Sequence, residues 1–93
     1  MTNLKPYLSY ETDFSEEVVW KLGDTYVVAG WDKQEDPSIS NPGVVFMTKT
    51  ENLDKNGQWD WTAEDLNRNP NCWFYDDPNA WETKTTALLE QLK

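Results

Sequence analysis

Six tryptophans, at positions 20, 31, 59, 61, 73 and 81, constrain this chain more than any other feature. Leu, Ile, Val and Phe together supply 18 of 93 residues and the net charge is -9. Few aliphatics under a large unbalanced charge mark chains that stay unfolded. Four tyrosines and three phenylalanines raise the aromatic count to 13. Each aromatic side chain removes about 150–250 Å² from water when buried, so a small set can replace a larger aliphatic one. The expectation is one folded domain over residues 1–93, built on an aromatic core.

Local patterns predict the elements. Val18 to Leu22, then Gly23-Asp24, then Thr25 to Trp31 is β-branched and aromatic around a turn pair, which predicts a hairpin over 18–31. A competing reading caps a short helix at Ser15 and stops it at Gly23. The residue types favour the hairpin. A further strand is expected over 44–49, and Asn56-Gly57 signals a turn into Trp59-Asp60-Trp61, giving a second hairpin over about 44–61. Thr62 with Asp65 resembles a capping box opening a short helix that must end before Pro70, and 72–75 can form another strand. Asp77 as N-cap and Pro78 at the first helical position open a helix over about 78–92. On it Trp81, Thr85, Leu88, Leu89 and Leu92 share one face. The fold class is α+β: a small antiparallel sheet of about four to five strands with the C-terminal helix packed on it.

Cys72 is the only cysteine, so no internal disulfide and no metal-type cysteine pair can form. No apolar run approaches the roughly 18 residues that span a bilayer, and the N-terminal residues lack a basic-then-apolar signal. A cytoplasmic protein without a membrane role is expected. The absence of histidine removes Ser-His and Cys-His pairs. A carboxylate pair for glycoside hydrolysis needs a cleft that a domain of this size rarely builds. The expectation is a protein that is not an enzyme and uses no cofactor and no metal.

Oxygen side chains at Asn52, Asp54, Asn56 and Asp60, with Gly57 among them, resemble the start of an EF-hand calcium loop. Ala63 stands where the bidentate Glu belongs, so a turn is the simpler reading. The stretch from Gly23-Asp24 through Tyr26, Trp31 and Pro37 is similar to small chitin- and cellulose-binding modules, a Gly-Asp turn followed by an aromatic strand. Separately, Trp59-Asp60-Trp61 would place two indoles on one face of a strand, a platform of the kind that stacks on sugar rings. Both ligand readings, calcium and carbohydrate, stand below protein binding.

The 17 acids face only eight bases and occupy both halves of the chain. Such a surface repels nucleic acid and anionic lipid, and its natural complement is a basic protein. On a strand, Glu11 and Asp13 would lie about 6.7 Å apart on one face, comparable with neighbouring phosphates along a nucleic-acid strand. A folded acidic surface can therefore mimic nucleic acid in a basic groove. The expected acidic face comprises Asp32, Glu35, Asp36, Asp60, Glu64, Asp65, Asp76 and Asp77, with Trp59 and Trp61 as an aromatic hot spot. Small acidic chains of this type are frequent among phage-encoded antidefence and bacterial immunity proteins, a likeness of charge and size. The functional expectation is an intracellular inhibitor or immunity-type protein docking on a basic, nucleic-acid-binding protein. The alternative is a non-catalytic accessory subunit of a larger assembly.

Overall fold

The computed structural model describes residues 4–33 and 38–93. Five strands run β1 Leu8–Glu11, β2 Ser15–Leu22, β3 Thr25–Asp32, β4 Gly43–Thr48 and β5 Cys72–Tyr75. They form one antiparallel sheet in chain order, so every strand pairs with its predecessor. Helix α1, Ala63–Arg68, lies between β4 and β5, and α2, Pro78–Leu92, closes the chain. The α+β architecture, the five-stranded sheet and the packed C-terminal helix agree with the sequence expectation.

Both sheet faces are covered, which explains why the central strands do not alternate cleanly between apolar and polar residues. Tyr26 through Gly30 are all buried. One face gathers Val19, Tyr26, Val28, Val44 and Phe46 under Trp59 and Leu66 from the segment joining β4 to β5. The other gathers Trp20, Val27, Ala29 and Val45 under Trp81, Leu88 and Leu89 of α2. Strand alternation assigns the faces: Val19 pairs with Val28, Val28 with Phe46 and Phe46 with Cys72, and these residues share one side. A short helix over 15–23 could not place Val19 and Trp20 in different cores. The strand wins there.

The β2–β3 turn uses Gly23 at φ 66, the first position of a two-residue loop, where a positive φ is needed. Between β1 and β2 the Thr12 hydroxyl accepts from the backbone N–H of Phe14 at 3.1 Å and Ser15 at 2.9 Å. That turn ends β1 at Glu11, so Asp13 lies in a loop. The expected shared strand face of Glu11 and Asp13 is thus corrected, and with it their phosphate-like spacing.

The predicted second hairpin over 44–61 is also corrected in its pairing. Asn56-Gly57 does turn the chain, with Gly57 at φ 80, but only the isolated bridge Leu53 to Trp59 forms across it. β4 pairs instead with β5. The segment crosses over the sheet because Trp59 seats its ring 5.2 Å from that of Tyr26 on the sheet face. The Asn69 side-chain amide donates to the Met47 carbonyl at 2.8 Å and the Met47 N–H donates to the Asn71 carbonyl at 3.0 Å, delivering β5 to the free edge of β4.

α1 is capped as anticipated: the Thr62 hydroxyl accepts from the Asp65 N–H at 3.2 Å, and the Asp65 carboxylate accepts from the Thr62 N–H at 3.0 Å. On α2, Asp77 accepts from the Asn79 N–H at 3.1 Å. Trp81, Thr85, Leu88 and Leu89 are buried, and the Trp81 indole N–H donates to the Val44 carbonyl at 2.8 Å, fixing the helix across the sheet. Gly43 lets the two indoles meet there. A Cβ on it would stand 2.5 Å from Trp31 Cζ3, and the rings of Trp31 and Trp81 lie 5.3 Å apart. Among the described residues no helix is long and apolar enough to cross a membrane.

Candidate functional site: an acidic end of the sheet

Strand order distributes the charges. Glu11 pairs with Glu16, Ser15 with Asp32, and Gly43 with Tyr75. The end of β1, the start of β2, the end of β3 and the end of β5 therefore lie at one end of the sheet. Glu11, Asp13, Glu16, Asp32, Asp76 and Asp77 all sit at that end. Lys33 stands beside them, its ammonium 2.5 Å from a Glu11 carboxylate oxygen, which holds the Glu11 carboxyl below its usual range. Lys21 and Lys49 lie at the opposite end with the Gly23-Asp24 turn; Lys49 pairs with Asp24 at 3.1 Å. Two carboxylates, Asp24 and Glu51, offset the two lysines at that opposite end, so the excess of negative charge lies at the first end.

The expected face is brought together only in part. Asp32, Asp76 and Asp77 belong to the acidic end, whereas Glu35 and Asp36 lie outside the described residues. Asp60, Glu64 and Asp65 belong to the segment that crosses the sheet. Of these, Asp60 is exposed, Glu64 is ion-paired with Arg68, and Asp65 is engaged in the α1 capping box. Asp77 has the same double employment as the α2 cap.

The two proposed hot-spot tryptophans have different environments. Trp59 is 5% exposed and belongs to the core, so it offers a partner nothing. Its indole N–H is buried with no acceptor among the described residues. Trp61 is half-buried, and its indole N–H donates to Glu17 Oε1 at 2.9 Å. Glu17 is itself 9% exposed. Its Oε2 accepts from the Tyr10 hydroxyl at 2.7 Å. Burial, and then this bond to Glu17, push the Tyr10 phenol well above its ordinary range. Gly30, opposite Glu17 on β3, makes room for the carboxylate: a Cβ there would stand 3.3 Å from Glu17 Cγ.

Sequence reasoning missed three exposed aromatics, of which Tyr7, ahead of β1, is 47% exposed. Phe14, in the turn between β1 and β2, is 59% exposed, and Phe74, paired with Val44 on edge strand β5, is 46% exposed. Phe14 was discoverable as a lone aromatic between Asp13 and Ser15 in an acidic stretch. Phe74 was not, because only the strand pairing shows it at a sheet edge.

A broader groove of about 420 Å³ runs between the end of β4 and the crossing segment, lined by Thr48, Asn52, Trp61, Asp65, Arg68 and Asn71 among others. In the loop that resembles a calcium site, Asp54 Oδ1 accepts from the Asn56 and Gln58 N–H groups at 2.8 and 2.9 Å. That is an Asx turn, in which the local backbone uses the oxygen an ion would need. No group of three His, Cys, Asp or Glu among the described residues is placed to hold a metal ion. Compared with protein-family models, curated proteins and solved structures, the chain matches none of them.

Proposed function

We propose that this chain is a small acidic protein-binding module that docks the acidic end of its sheet on a basic protein partner. In this reading it is an intracellular inhibitor or immunity-type protein of phage or mobile-element character, and the partner is a nucleic-acid-binding protein. The observation that carries the reading is the gathering of Glu11, Asp13, Glu16, Asp32, Asp76 and Asp77 at one end of a rigid sheet. Carboxylates fixed by a sheet offer a basic groove a preorganised negative surface, with little ordering left to do on binding. The exposed Phe14 and Phe74 rings add apolar contact area beside the charges. Direct contact with nucleic acid is disfavoured by the same charge. Binding rather than catalysis suits a chain with no histidine.

Charge reversal at the acidic end and away from it tests the reading. Glu16→Lys with Asp76→Lys changes the net charge by the same amount as Asp24→Lys with Glu90→Lys, and all four side chains are exposed. The first pair should abolish retention of the host protein captured by the wild-type chain, and the second should spare it. An accessory subunit that binds through apolar contacts would tolerate both pairs equally, and that outcome rejects the docking reading.

A further inference from the structure

Glu17 is the one buried acidic side chain among the described residues. Its carboxylate is buried, and both of its polar neighbours, Tyr10 and Trp61, are neutral donors. Among the described residues no Lys or Arg forms an ion pair with it. A carboxylate withdrawn from water without a cation carries a large desolvation cost, so such groups are normally paired. The missing partner has a place to stand. A pocket of about 150 Å³ opens beside the carboxylate, and its lining includes Ser15, Glu17, Gly30, Asp32, Val44 and Trp61. The absent side chain of Gly30 keeps the floor clear: a Cβ there would sit 3.4 Å from both Glu17 Oε1 and Val44 Cγ1. The pocket lies at the acidic end: Glu17 and Gly30 stand two residue pairs in from Ser15 and Asp32, which also line it.

We propose that this pocket receives the guanidinium of an arginine side chain presented by the protein partner; the proposal rests on the docking reading above. The chemistry selects arginine. Each carboxylate oxygen of Glu17 has one neighbouring donor, Trp61 on Oε1 and Tyr10 on Oε2, and each keeps a second acceptor site. A planar fork of N–H donors can use both remaining sites at once, and a guanidinium is weakly hydrated and packs flat against aromatic rings such as the Trp61 indole. A lysine ammonium, compact and strongly hydrated, would be stripped of water for a single-point contact.

The experiment uses the intact chain and needs no partner for its first arm. Ethylguanidinium is titrated into the isotopically labelled protein while the indole N–H resonance of Trp61 is followed. A saturable shift is expected, with a dissociation constant on the order of 1–10 mM for so small a probe. The neutral isostere ethylurea should leave the resonance in place. Glu17→Gln should abolish the shift, and Gly30→Ala, which narrows the pocket without touching the charge, should weaken it at least tenfold. No saturable shift in the wild-type chain, or an equal response to ethylurea, overturns the proposal whether or not either variant folds. The second arm measures the captured partner. Loss of the Glu17 charge should raise the off-rate by roughly 10–100-fold and leave the on-rate almost unchanged, as for a buried ion pair. An unchanged off-rate with a responsive pocket overturns the assignment of a partner arginine. A silent pocket alongside a salt-sensitive complex leaves the docking surface standing.

Discussion

Glu16 and Glu17 are adjacent, identical in type and opposite in environment: Glu16 is exposed at the acidic end, while Glu17 is buried against Tyr10 and Trp61. In the sequence both read as members of one solvated acidic run. What separates them is the two-residue period of the strand, which puts Glu17 in line with Val19 and opposite Gly30, and no local pattern shows that both faces of the sheet are covered. Trp59 and Trp61 diverge for the same reason: both were legible as an aromatic pair, but only the three-dimensional path shows which one the core absorbs. Burial pushes the Cys72 thiol from 9.0 up to about 11. Between those values the folded chain retains a proton that the unfolded chain releases, so stability falls as pH rises through that window. Tyr10, raised from 10.0, acts in the same direction at still higher pH. Denaturant midpoints at successive pH values should therefore decline more steeply from pH 9 to 10 in the wild-type chain than in Cys72→Ala. Equal slopes would show that the thiol is not held protonated by the fold.

At the scale of elements, α2 was the most legible part, because its cap, its proline and its apolar stripe are encoded within about fifteen neighbouring residues. β2 and β3 were legible from β-branched content and the Gly23 turn. The partner of β4 was not, since it depends on a segment of more than twenty residues crossing the sheet before β5 arrives. The strong Asn56-Gly57 signal describes the local turn correctly and says nothing about what lies beside it. Caps also limit how the acids can be interpreted. Asp65 and Asp77 hold helix N-termini, so their replacement mixes a structural loss with a change of charge. Asp77→Ala should lower unfolding stability by about 1 kcal/mol, the usual cost of losing an N-cap. Asp76→Ala, which removes no cap, should change it by less than about 0.5 kcal/mol. Equal effects in chemical denaturation would mean that Asp77 does not cap α2.

For the whole molecule, the composition that resembles a disordered chain folds because aromatic rings from both cores do the work of missing aliphatics. The radius of gyration, 12.6 Å, is close to the roughly 12 Å expected for a folded chain of this length. Acidity was legible from composition, but its concentration at one end was not, because it arises from strand order: the β1–β2 turn, the end of β3 and the β5–α2 connection meet there, each carrying acids. This polarity is the central claim, since a dipolar molecule of net charge -9 should approach a basic partner in one orientation and faster than chance. The most direct measurement is the association rate of the wild-type chain with the basic protein captured under the proposed docking, across salt from about 50 to about 500 mM, where screening shortens from roughly 14 to 4 Å. The rate should fall at least tenfold over that range. A rate that does not change with salt would contradict it.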